Sequence, residues 1–144
     1  MSDALLGAII GAGAALIGGF LVQRYIARQA ARRRLQELVG SFLSIQENIG
    51  NLASENEGTE PFMAGSWRSS LRDEYARAAA VGHELAILCD PEVSEDILES
   101  LRLSVRVWAS TDLSKSRQER DAAIESLRIN VRVLAPRLHA RSRF

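Results

Sequence analysis

Two histidines, one cysteine and a cluster of glycines are the residues whose chemistry is easiest to imagine in this chain, and their spacing argues against each use. His83 and His139 stand far apart, and neither has a carboxylate or cysteine at metal-ligand spacing on a shared helix face. Both read as structural or surface residues, and no metal is expected. Cys89 ends the apolar run Leu85, Ile87, Leu88, where a thiol acting as a small hydrophobe fits; a lone cysteine also excludes an internal disulfide. The glycines from Gly7 to Gly19 superficially suggest a phosphate-binding loop, but they follow no strand and lack its lysine. No serine or cysteine pairs with a base, so nucleophilic catalysis has no motif. Trp67 and Trp108 fall on the inner stripes of their helices, which suits core packing better than ligand stacking. The expectation is a non-enzyme without a cofactor and with no small-molecule substrate evident.

The element with the strongest physical signature is the first. From Ala4 to Gln23 no side chain is charged, and twenty residues at about 1.5 Å each cover the roughly 30 Å of bilayer hydrocarbon. Asp3 precedes the stretch, whereas the five arginines Arg24, Arg28, Arg32, Arg33 and Arg34 follow it. That order is the reverse of a cleaved signal peptide. By the positive-inside rule it places the N-terminus outside and the rest of the chain in the cytoplasm, so the expected location is the cytoplasmic (inner) membrane, crossed once. The formal net charge of zero conceals this basic collar.

At 100° per residue, Leu5, Leu6, Ile9, Ile10, Leu16, Ile17, Phe20 and Leu21 share one half of the helix. The other half carries Ala4, Gly7, Ala8, Gly11, Ala12, Ala14, Ala15, Gly18 and Gly19, with only Gly13 and Val22 violating the division. Lipid gains nothing from such a stripe, but a second helix does, because small residues let backbones approach closely. The spacing therefore predicts a helix-packing face that meets copies of itself or another membrane protein.

Beyond the collar, Leu35, Leu38, Phe42, Ile45, Ile49 and Leu52 recur by threes and fours, so one helix is expected to run from the membrane to about residue 54. Residues 55–65 mix Gly, Pro and acidic types and read as a loop. A second helix over about 66–89 presents Trp67, Leu71, Tyr75, Ala78, Gly82, Leu85 and Leu88 inward. Asp90-Pro91 supplies a cap and a first-turn proline for a third over 91–110, with Val93, Ile97, Leu101, Val105 and Trp108 inward. Ser116 and Glu119 form a capping box for a fourth over 117–140, carrying Ile124, Leu127, Val131, Leu134 and Leu138, which Pro136 should kink or end. The fold class is all-α: residues 1–23 as a transmembrane anchor, and 24–144 as a cytoplasmic antiparallel bundle of about four helices.

Up-down topology brings Arg137, Arg141 and Arg143 to the level of Arg32, Arg33 and Arg34. There, with Arg24 and Arg28, they would face lipid headgroups at about 1 kcal/mol each. The alternative is that the acidic start of the third helix, Glu92, Glu95, Asp96 and Glu99, at the same level, neutralises these arginines.

The segments GAIIGAGAALIGG, RYIARQAARRR, LRDEYARAAAVG and DPEVSEDILESL resemble those of small actinobacterial-type single-pass membrane proteins with an all-helical domain. The resemblance implies topology and carries over no functional residue. The expected function is a membrane-tethered interaction or scaffold module that self-associates through its span, with membrane lipid as a further partner. The alternative is an oligomeric membrane-acting effector, in phage defence or superinfection exclusion, that perturbs the bilayer. Topology already explains the arginine collar, so no nucleic-acid partner is expected.

Overall fold

Apolar residues spaced alternately by four and three give each helix a single stripe to bury, and four such helices cover one another's stripes. In the computed structural model, residues 3–55, 64–111 and 116–142 are described, with side chains described for 18–55, 67–111 and 116–141. Four helices follow in order: α1 Asp3–Glu55, α2 Ala64–Leu88, α3 Pro91–Ser110 and α4 Arg117–Ser142. The described residues contain no strand. The chain divides into two compact units, Met1–Arg34 and Leu35–Phe144.

In the first unit, α1 is helical from Asp3 onward, and residues 18–34 are exposed. Among the described residues no helix is long and apolar enough to cross a membrane. The expected span, 4–23, lies mostly outside the residues whose side chains are described.

The second unit is a bundle whose core is built from all four helices: Phe42, Ile45 and Ile49 of α1, Leu71 and Leu85 of α2, Ile97 and Val107 of α3, and Leu127, Leu134 and Leu138 of α4. Neighbouring helices run antiparallel. Ser54 near the end of α1 meets Arg128 of α4, and Asp96 near the start of α3 meets Arg137 near the end of α4. Gly82 of α2 lies where an added Cβ would come within 2.8 Å of Phe42 and 3.1 Å of Leu101. Three helices therefore close tightly at this glycine.

Two expectations are corrected. In α3 the buried face is Val93, Ile97, Ser100, Leu101, Leu103, Ser104, Val107 and Ser110, whereas Val105 and Trp108 are exposed. Four-residue steps advance 400°, so a stripe read as 97, 101, 105 drifts 40° per turn off the core; steps through Ser100 and Ser104 hold it. In α2 Leu88 is exposed, because the helix stops there before the turn into α3. Of the two outcomes expected at Pro136, α4 does not end there and continues to Ser142. Arg132, whose carbonyl loses its partner to Pro136, is exposed and can be hydrated, while the flanking Leu134 and Leu138 are buried.

Candidate functional site

The residues marked by the sequence fall into separate places. Of the small-residue face, Ala4, Gly7, Ala8, Gly11, Ala14 and Ala15 lie outside the described side chains. Gly18 is exposed, and a Cβ added there would meet no atom within 4 Å, so no described residue covers it. Directly after it come Phe20, Leu21, Val22, Tyr25 and Ile26, each more than half exposed. Arg24, Arg28, Arg32, Arg33 and Arg34 are exposed along the next turns of the same helix. A band of large apolar side chains thus passes into a band of guanidinium groups.

The C-terminal arginines behave differently. Arg137 pairs with Asp96 and lies 3.8 Å from Glu92, and Arg141 pairs with Asp90. Both guanidinium groups therefore have carboxylate partners at or just before the start of α3. Arg143 lies outside the described residues. Asp90 is the N-cap of α3, its side chain accepting from the Val93 amide at 3.1 Å, so Arg141 is held by a carboxylate already fixed by the helix. Burial, and then the neighbouring Asp90, push the Cys89 thiol up from its ordinary value, while Arg141 pulls it part of the way back. A raised thiol stays protonated at neutral pH and is a poor nucleophile. No group of three or more His, Cys, Asp or Glu able to hold a metal occurs among the described residues.

The feature that sequence reading missed lies between α1 and α4. A groove of about 350 Å³ runs along them, walled by Leu43, Leu127, Val131 and Ala135 and rimmed by Glu47, Arg128 and Arg132. Gln46 lines it, only 1% exposed. The Gln46 amide bonds Ser104 Oγ at 2.6 Å, and Ser104 Oγ lies 2.9 Å from the Ser100 carbonyl. Ser104 Oγ donates to Gln46 Oε1 and lies within reach of the Ser100 carbonyl as well, so the amide presents its oxygen to Ser104. Gln46 Nε2 is left buried with no hydrogen-bond partner among the described residues. Such a group costs about 1–3 kcal/mol unless something meets it. The signal was in the sequence: Val39, Phe42, Gln46, Ile49 and Ala53 step by three and four, placing a glutamine at the centre of an apolar stripe. Arg128 donates to Ser54 Oγ at 3.0 Å, whereas Arg132 has no ion pair or side-chain hydrogen bond among the described residues. No protein-family model, curated protein or solved structure matches this chain.

Proposed function

We propose that the chain is a membrane-tethered interaction module, inserted once in the cytoplasmic membrane through residues 4–23, with its helical bundle on the cytoplasmic side. The observation that carries this reading is the order of side chains along one helix. An uncharged stretch reaches Gln23, the large apolar residues from Phe20 to Ile26 stay exposed, and arginines begin at Arg24 and recur to Arg34. Apolar exposure on that scale is costly in water and favourable in lipid. Tyr25 beside Arg24 and Arg28 has the amphipathic character of residues at a membrane interface.

The small residues Gly7, Gly11, Ala14 and Gly18 support self-association of the tethers, since a Gly/Ala stripe has no use against acyl chains. In this reading the span gathers several copies and the bundles are presented together to a cytoplasmic partner. Crosslinking of the full chain in lipid nanodiscs tests the association. Wild type should yield oligomers, and Gly11→Leu should lose them. Monomer alone in both, or oligomers unchanged by Gly11→Leu, contradicts the assignment of that face.

A further inference from the structure

We propose that the α1–α4 groove is a binding site for a small aliphatic monocarboxylate. The groove lies wholly within the bundle, so the proposal stands independently of the membrane reading. Its first support is Gln46, a side chain almost completely buried in the groove wall with one amide atom left unpartnered. A core selected only for stability has no use for that atom, because leucine would fill a similar volume without it. The second support is charge. The register that sets Gly50 against Arg128 brings Gln46 about level with Arg132, whose guanidinium has no side-chain partner among the described residues. An amide N–H and a guanidinium N–H together match the two oxygens of a carboxylate, and the bond to the cation is the stronger kind. Glu47 on the opposite rim offsets one of the two guanidinium charges, leaving a single positive surplus suited to a monoanion rather than a phosphate dianion.

The third support is shape. Leu43, Val131 and Ala135 continue the groove beyond the polar level, giving an apolar track for a chain attached to the carboxylate. At ~30 Å³ per water-sized group, the volume of about 350 Å³ holds about a dozen non-hydrogen atoms, the size of decanoate.

Calorimetric titration of decanoate into the full chain, in nanodiscs of zwitterionic lipid with empty nanodiscs subtracted, tests the site. Wild type should bind saturably at one site per chain, and decanol, lacking the anion, should bind at least about tenfold more weakly. Arg132→Gln, an exposed change that leaves the core intact, should weaken decanoate about tenfold, and Gln46→Leu should weaken it comparably with the far-ultraviolet circular dichroism unchanged. No saturable heat beyond empty nanodiscs overturns the proposal. So does equal binding of decanoate and decanol, or wild-type affinity in Arg132→Gln.

Discussion

Adding one methyl group at Gly82 and the same group at Gly40 should move the stability of the bundle in opposite directions. A Cβ at Gly82 would lie 2.8 Å from the Phe42 ring and 3.1 and 3.2 Å from the two Leu101 methyls, and Phe42 is completely buried, with no free space to swing into. Overpacking of this kind costs about 1–3 kcal/mol. Replacing a mid-helix glycine by alanine returns about 1 kcal/mol of backbone entropy and helix propensity. The sum for Gly82→Ala is a net loss of about 1 kcal/mol. Gly40 is exposed, with no atom within 4 Å of an added Cβ, so Gly40→Ala keeps only the gain, about 0.5–1 kcal/mol. Because the propensity contribution is common to both, the difference between the variants isolates the steric cost, about 2 kcal/mol. Urea unfolding followed by the fluorescence of Trp67 and Trp108, both on bundle helices, measures it. Equal shifts of the two midpoints in the same direction would refute the close meeting of α1, α2 and α3 at Gly82.

The bundle supports further predictions. Asp90→Ala removes both the α3 cap and the partner of Arg141 and should cost about 1–2 kcal/mol in the same urea titration. Asp96→Asn, removing one member of a half-exposed pair, should cost under about 1 kcal/mol and less still in high salt, as paired denaturation curves at two ionic strengths will show. Cys89 should react slowly with maleimide at neutral pH and accelerate only above the ordinary thiol range; Arg141→Gln, removing the one influence that lowers the thiol, should slow it further, and a wild-type rate in that variant contradicts the pairing. Gln46→Leu, by deleting a buried amide atom without a partner, should raise the unfolding free energy by about 1 kcal/mol in ligand-free protein, and a marked loss instead would show the amide to be satisfied within the fold.

The number and order of the helices were legible because their punctuation is chemical and local. Asp90-Pro91 separates α2 from α3, and Ser116 accepts from the Glu119 amide at 3.2 Å as a capping box requires. Burial was legible only where the face is aliphatic. On α3 a hydropathy stripe passes over Ser100 and Ser104, which are fully buried, and picks out Val105 and Trp108, which are not. Small hydroxyl residues can close their bonds onto their own helix, as Ser104 does onto the Ser100 carbonyl, so their polarity is no bar to burial. Pairing across helices was not legible in the sequence, because it depends on register: Arg137 of α4 stands opposite Asp96 of α3, which no spacing along either helix specifies. The groove was missed for a related reason. It arises from two helices together, Gln46 of α1 and Arg132 of α4 lining the same groove.

The proposal that residues 4–23 lie in lipid is tested most directly by a spin label at Leu16→Cys in a Cys89→Ser background, with the chain reconstituted in bilayers and its collision rates with oxygen and with a water-soluble nickel chelate compared. Burial in hydrocarbon requires frequent collision with oxygen and almost none with nickel. A label that meets the nickel chelate as readily as one placed on an exposed residue of the bundle, such as Ser126, contradicts the membrane assignment.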